Sequence, residues 1–549
     1  MVLQRLNERC QKFISNEPSF RIIFLLSGIF FSFILVFSLH RFYSFYASYD
    51  QALFDQLFWN SIQGRWFQGS LSSGQSSSVM FDNQIHTVSY CHLGQHFVID
   101  FLLWIPIYAL FPTGATLVVL QVALITAAGL VLYFLARYYL PPEISILIAA
   151  SFYGAIAVIG TILANFYEHC QIPLFVFSLL LALEKRKWWL FWLFVFLTLG
   201  IREETGIILF GIGMYLVFSR RYPRLGLVLC LLSFSYVTIV TNKIMPLFSN
   251  DNSRLYLTAY FGKFLPGNQN PSTLQLLGAI FSQPDKLLAS LLTPVDRRLT
   301  YFLGHWLPLI FVPALSPAAW IITAPPLFLL FIQQGKAALT ITLRYSLTVV
   351  PGLFYGTVLW WSQHQNRFTF RIRRWWMRCI AISIIISIIS SPNQAFYFAF
   401  PDSLNPWVQI PLTRQWEHVG HIRSLMQFIP QNARVSATTY LLPHLATRRE
   451  IMRLPALQIR DDTGTILDVD YVFADLWQLQ QYQKAFKSER ERLRKNLALI
   501  DKILVEKQYG IIAIQDGVVL LQKQVDSQPQ AITSWLNLRK VLESTLQSR

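Results

Sequence analysis

Two aspartates stand five positions apart in the segment Tyr49-Asp50-Gln51-Ala52-Leu53-Phe54-Asp55-Gln56-Leu57-Phe58-Trp59-Asn60, which follows the first long apolar run. A carboxylate that opens a helix can act simply as a cap, or as a general base that takes a proton from a hydroxyl group. Asp50 is the first candidate for such a base and Asp55 the second. Arg202-Glu203-Glu204 lies between two apolar runs, where ionisable groups are expensive and by default mark function; it also reads as a short connecting turn with surface charge. Asn165-Phe166-Tyr167-Glu168-His169 is a comparable turn. With His86, His92 and His96 these turns supply imidazole and carboxylate, but their spacing matches no standard metal site. Arg344-Tyr345 begins an apolar run through Pro351. Its guanidinium either anchors the helix by snorkelling or grips a phosphate through its planar fork of donors.

The elements that must position these groups follow from composition. The chain is 54% hydrophobic and 14% charged, with a mean hydropathy of +0.41, which excludes an ordinary soluble protein and requires lipid as part of the solvent. The net charge of +17 resides in short basic clusters flanking apolar runs, as a membrane protein requires, so nucleic acid is not an implied partner. Membrane lipid is. Apolar stretches at 22–39, 115–136, 143–163, 171–184, 188–201, 206–219, 225–242, 301–316, 318–333, 344–362 and 376–391 make about eleven spans. That count puts the clusters at 5–21, Arg137, 184–187, 220–224 and 367–378 on the cytoplasmic side. It puts 40–114, 164–170, 202–205, 243–300, 334–343 and the tail outside. Stretch 97–112 is read as a helix in the outer interface, with Trp104 and Tyr108 at the headgroup level. The first apolar stretch has no small-residue cleavage site after it and reads as a retained anchor.

The predicted architecture is mainly α: a cytoplasmic N-terminus at 1–21, a polytopic helical bundle at 22–399, and an extracytoplasmic α/β domain at 400–549. In the first outer loop, 40–114, Leu53, Phe54, Leu57 and Phe58 form an apolar stripe, which predicts an amphipathic helix lying along the membrane. The Ser/Gly-rich tract Gly69 to Ser78 predicts a mobile loop. In the tail, short β-rich runs alternate with helical patterns, and two of them meet at Asp516-Gly517, a tight hairpin signal. A last helix at 530–546 places Ile532, Trp535, Leu536, Val541 and Leu542 largely on one face. Five cysteines, among them Cys10, lack any metal-site spacing and imply no structural disulfides. No Gly-rich phosphate loop is present, which argues against an ATP-driven pump.

At these same residues the sequence resembles a known family. The runs YDQALFDQLFWN (49–60), HLGQHFVIDFLLWIPIYALFP (92–112), TLVVLQ (116–121), NFYEH (165–169), REE (202–204), LTPVDRRLTYFLGHWLPLIFVPALSP (292–317), RYSLTVVP (344–351), VSATTYLLPHLATRREIMRLP (435–455) and VDYVFADL (469–476) are similar, in order and spacing, to the membrane-protein family called domain of unknown function 2079. That family in turn looks like a branch of the GT-C glycosyltransferases. The resemblance implies a helical bundle with juxtamembrane helices in the first outer loop, and a sugar donor carried on polyprenyl phosphate. It implies a base at Asp50, assisted in orientation by Asp55 or Glu203. Glu168, His96 and Glu204 would line the site, Arg344 and Arg202 would neutralise the leaving phosphate, and Tyr345 would lie near it. The sequence departs from the GT-C pattern at Gln51, where many have Glu, at Asn165, where their second acidic turn falls, and at Tyr167, where His is common. The implied activity is sugar transfer to an acceptor on the outer face of the inner membrane, without a nucleotide cofactor and with a divalent metal left open. A transporter or flippase for a lipid-linked or small anionic molecule, and a non-catalytic scaffold, are the alternatives.

Overall fold

A computed structural model describes residues 18–265, 267, 271–335, 337–390 and 394–547. Most of the expected N-terminal segment 1–21, with Cys10, lies outside the described residues. The chain divides into two compact units: Met1–Ser38, Leu93–Leu103 and Val118–Ser391 form one, and Leu39–His92, Trp104–Leu117 and Pro392–Arg549 the other.

The first unit is helical. Nearly every apolar stretch becomes a helix close to its expected bounds, for example Ile172–Glu184, Trp188–Ile201, Gly206–Phe218 and Pro317–Ile332. Among the described residues, however, only Pro18–Tyr43, Gly114–Arg137 and Pro223–Leu247 are long and apolar enough to cross a membrane on their own; the bent pair Pro142–Tyr153 and Ile156–Ile162 would make a fourth. Most of the others are too short, as 13 residues in Ile172–Glu184 rise about 20 Å against a hydrocarbon core of about 30 Å, whereas Phe370–Ile389 has the length, 20 residues, but carries Arg371, Arg373, Arg374 and Arg378. The stretch expected at 301–316 is broken, with helix Val295–Trp306, a 3-10 turn Leu307–Leu309 and helix Val312–Leu315. Between the last two, Ile310 and Phe311 take left-handed φ values of 48° and 62°. Pro308 and Pro313 flank this point, and neither offers a backbone N–H to a continuing helix.

Small residues set the approach of these helices, as is common where lipid removes the hydrophobic drive for association. A Cβ on Gly213 would lie 2.6 Å from Cys230 Sγ and 2.8 Å from the Gly226 carbonyl oxygen, so helix Gly206–Phe218 meets helix Pro223–Ile239 backbone to backbone. Gly213→Leu should force them apart at a cost of about 1–3 kcal/mol. A lowered melting temperature of the detergent-solubilised protein would register this, and an unchanged one would refute the contact.

The second unit is α/β. Its five-stranded sheet runs in the order Ile451–Arg453, Val435–Ala437, Tyr471–Asp475, Val518–Lys523, Tyr509–Gln515. The first three strands are mutually parallel and the last two join antiparallel. The hairpin turns at Asp516-Gly517, with φ of 49° and 75°; positive φ at both positions suits the right-handed twist of paired strands. Thr87 and His86, from the first loop, pair in parallel with Ile459–Arg460 in a second, three-stranded sheet.

Three expectations are corrected in this unit. Helix Tyr49–Ile62 is not a surface helix: all its residues but Asp50, Trp59 and Ile62 are buried. Gln56 explains this, because its Nε2 donates to the carbonyls of Arg448 and Arg449 at 3.2 and 3.1 Å while its Oε1 accepts from Leu71 N at 3.0 Å. The tract Gly69 to Ser78 is ordered as helices Ser70–Ser73 and Ser77–Met80. Its serine oxygens are spent inside the unit, Ser70 Oγ donating to the Ile451 carbonyl at 2.6 Å and Ser73 Oγ accepting from Thr87 N at 2.9 Å. The last helix, Pro529–Gln547, buries Ala531, Trp535 and Leu542, whereas Ile532, Leu536 and Val541 are exposed. Its inward stripe runs through Ala531, Trp535, Leu538, Leu542 and Leu546 instead, residues that recur every three or four positions on one face of the helix.

Candidate functional site

Helices Ile172–Glu184 and Trp188–Ile201 form an antiparallel pair, so the turn before the first and the turn after the second fall at the same end. Glu168 and His169 occupy a 3-10 turn, Glu168–Gln171, that leads into the first. Arg202 stands extended at the end of the second, and Glu203 and Glu204 begin the 3-10 turn Glu203–Thr205. Local geometry therefore presents three carboxylates, one guanidinium and one imidazole to each other.

Arg202 is the hub. Its Nη1 donates to Glu168 Oε1 at 2.8 Å and its Nε to Glu203 Oε1 at 3.4 Å, and Glu204 Oε1 lies 3.8 Å from Nε. The same guanidinium meets His96 Nε2 at 3.0 Å. His96 Nδ1 faces Glu203 Oε1 at 2.9 Å, and Phe97 N donates to Glu203 Oε2 at 2.9 Å. A neutral imidazole satisfies both contacts, donating from Nδ1 to the carboxylate and accepting at Nε2 from the arginine. Burial, followed by the charge of Arg202, lowers the His96 pKa, which agrees with that tautomer. His169 Nε2 lies 3.2 Å from Glu204 Oε1, and its Nδ1 3.3 Å from Glu168 Oε1. Burial opposes the charge on Glu168, Glu203 and Glu204, but the adjoining histidines and Arg202 outweigh it and hold all three carboxyls below their ordinary range. Glu168 Oε2 is buried without a hydrogen-bond partner among the described residues. Buried polar atoms in native proteins are nearly always bonded, so this oxygen calls for an explanation.

Arg344 and Tyr345 join the edge of the cluster. The Arg344 guanidinium lies 4.3 Å from the Tyr167 ring centre and 4.9 Å from that of Tyr345, and its Nη2 donates to the Tyr345 hydroxyl at 3.2 Å. The Tyr345 ring meets His169 edge-on at 5.7 Å, and Tyr256 packs against His96 at 4.5 Å. Sequence reasoning missed Tyr256, which no motif marks.

Asp50 and Asp55 belong to the other unit. Asp50 lies in the first turn of Tyr49–Ile62 and is half-buried. Asp55 is fully buried and its Oδ1 accepts from the Tyr108 hydroxyl at 2.6 Å. Burial raises its carboxyl to about 7, against the opposing hydrogen bonds of Tyr108 and Gly114. Tyr108 itself is buried, not set in the outer interface as expected, because its hydroxyl is committed to that carboxylate; helix Phe101–Leu110 around it carries Pro106. Among the described residues no group of three or more His, Cys, Asp or Glu side chains is placed to hold a metal ion.

Two further networks carry no motif that would have announced them. Glu184 accepts from the hydroxyls of Tyr139 and Tyr355 and pairs with Arg221 at 2.9 and 2.7 Å, at the end of helix Ile172–Glu184 opposite the Arg202 cluster. In the tail, His418 lies 3.1 Å from Asp475 Oδ2 and 2.7 Å from Asp516 Oδ2, and Arg414 grips Asp516 from the other side. Burial works against a charged His418, but the two aspartates outweigh it and raise its pKa. The stabilisation this gives is full below the unfolded histidine value of about 6.5 and is lost as pH rises through the higher folded value. The melting temperature of the wild type should therefore fall above about pH 6.5 by more than that of His418→Asn; parallel profiles would disprove it.

No curated protein matches this sequence. Among solved structures, the crystal structure of ArnT from Cupriavidus metallidurans bound to undecaprenyl phosphate is similar at 11% identity and a TM-score of 0.48, over 92% of this chain and 99% of that one. The buried charge between apolar helices and the α/β unit are carried by a sequence whose residues 41–520 match one family model, and the chain belongs to that family of predicted membrane proteins, DUF2079.

Proposed function

We propose that this membrane protein is a GT-C-like glycosyltransferase that moves a sugar from a polyprenyl-phosphate carrier to an acceptor on the outer face of the inner membrane. In this reading the chain crosses about eleven times, with the shorter helices completed by their flanking turns, and both the N-terminus inside and the tail outside follow from its basic clusters. The acceptor oxygen attacks the anomeric carbon, the bond from that carbon to the carrier phosphate breaks, and the acceptor proton passes to Asp50, a role that comes from the sequence resemblance alone. Arg344 neutralises the departing phosphate, with Tyr345 fixing its guanidinium plane. Arg202 positions the surrounding acids and His96, and Asp55 orients the helix that bears Asp50. Glu168 Oε2 and Glu204 accept hydrogen bonds from the sugar hydroxyls.

One observation carries the reading: a buried carboxylate oxygen of Glu168 lacks a hydrogen-bond partner among the described residues, as does Nδ1 of the neighbouring His169, in a cluster that Arg202 otherwise ties together. A sugar hydroxyl is the kind of donor it lacks. Burying this much charge between apolar helices serves folding poorly and function well. The donor class comes from the sequence resemblance.

The test is the mass profile of envelope glycolipids and glycoproteins in cells lacking the protein. Loss of a hexose- or pentose-sized mass, restored by the wild type and not by Arg344→Gln, is expected. An unchanged profile accompanied by a lipid-linked intermediate on the cytoplasmic face would replace transfer by transport.

A further inference from the structure

The α/β unit contains a cavity of about 260 Å³ lined by Thr438, Thr439, Arg453, Arg492, Lys495 and Asn496. Its place in the sheet follows from the topology. Strand Val435–Ala437 is parallel to both Ile451–Arg453 and Tyr471–Asp475 and lies between them. The chain therefore leaves its carboxyl end toward one neighbour and later returns to pair on the opposite side. Open α/β sheets bind ligands outside the carboxyl ends of the strands where connections diverge in this way. Thr438 and Thr439 directly follow Val435–Ala437, and Leu454, also lining the cavity, follows Ile451–Arg453.

Beside Leu454, Pro455 and Leu479, the lining offers polar groups with hydrogen-bonding capacity to spare. Thr439 and Asn496 are 7% and 5% exposed, and among the described residues neither side chain has a hydrogen-bond partner, although both line the cavity. Thr438 Oγ1 accepts from Asp475 N at 3.0 Å, which leaves its hydroxyl proton to donate. Arg453 is held by its stack on the Tyr49 ring at 4.4 Å. Arg492 commits Nη1 to Glu489 at 2.8 Å and keeps its remaining N–H groups. Lys495 has no ion-pair partner among the described residues. One carboxylate, Glu491, stands on the rim against these three cations.

We infer that this cavity binds a small phosphomonoester, its phosphate held by Arg453, Arg492 and Lys495 and its polar body by Thr438, Thr439 and Asn496. Two guanidinium forks and an ammonium suit a dianionic oxyanion. Drug-sized ligands occupy about 300 Å³ or more, so a molecule of sugar size is the better fit. The site lies within the α/β unit and does not depend on the transfer reaction proposed above.

The full-length protein in phosphatidylcholine nanodiscs, titrated calorimetrically with glucose 6-phosphate and with glucose as the uncharged control, tests this. Saturable binding of the phosphate ester, at least about tenfold tighter than glucose and weakened about tenfold or more by Lys495→Glu, is expected. Lys495 is exposed, so the variant should keep the wild-type melting temperature; Thr439→Val, from another segment of the lining, should also weaken binding. Absence of binding by the wild type, or wild-type affinity in both Lys495→Glu and Arg492→Gln, overturns the proposal. Repeating the titration in nanodiscs containing phosphatidic acid distinguishes the sources: competition assigns the phosphate to a lipid headgroup, and its absence to a soluble ester. Because no turnover is measured, failure here leaves the transferase reading untouched.

Discussion

Arg202→Met should unfold the charged end of the helical unit, lowering stability by about 3–5 kcal/mol, the usual consequence of removing one partner from a buried ionic network. Glu168, Glu203 and Glu204 would then face one another without the guanidinium that lies among them. The first two are buried at 1% and 6% exposure, so water could not replace the lost guanidinium. Arg202→Lys should recover only part of the loss, since an ammonium cannot donate along the separate directions that now reach Glu168, Glu203 and His96. The measurement is the melting temperature of the purified protein in detergent, together with its yield in the membrane. A wild-type melting temperature for Arg202→Met would mean that the cluster contributes nothing to stability. The double variant Arg202→Met, Glu168→Gln should be less unstable than the sum of the two single changes predicts, because removing one stranded charge relieves the other.

Asp50→Asn should lower transfer by about 10²- to 10⁴-fold, the range for losing a general base, while leaving the protein folded. Folding should survive because Asp50 is half-buried and sits in the first turn of its helix, where the loss of a charge next to the helix dipole costs only about 0.3–1 kcal/mol. Asp55→Asn makes the opposite pattern: its amide oxygen can still accept from Tyr108, but its NH2 then faces the Gly114 N–H that the carboxylate accepts, so stability and membrane yield should fall before any effect on the rate can be isolated. Sugar transfer by membranes of matched protein content separates the two. Full transfer by Asp50→Asn would remove this residue from the mechanism, and wild-type stability of Asp55→Asn would remove the structural role assigned to its neighbour.

Local structure was legible in the residue pattern. Helices at 172–184, 188–201 and 317–332 were legible because apolar runs bounded by charge, Pro or Gly need only their own residues to specify a helix, and the hairpin at Asp516-Gly517 was legible because its turn demands residues tolerant of positive φ. The charged turns at 165–169 and 202–204 stood out for the same reason, as charge where apolar sequence was expected. Tertiary structure alone decided what those charges do. Arg202 meets Glu168 and His96 across 34 and 106 positions, and no periodicity encodes such a pairing. Helix Tyr49–Ile62 has an apolar stripe suited to a membrane surface, yet the main-chain carbonyls of Arg448 and Arg449 claim Gln56 and turn the helix into core, with Asp55 inside. The cavity behind Thr438 exists only because strands distant in sequence lie parallel with their carboxyl ends together. Propensity and hydropathy act within a few turns of chain, whereas burial and side-chain pairing are set by which distant segments pack against them, and it is the latter that separates an accessible carboxylate such as Asp50 from a buried one five residues away.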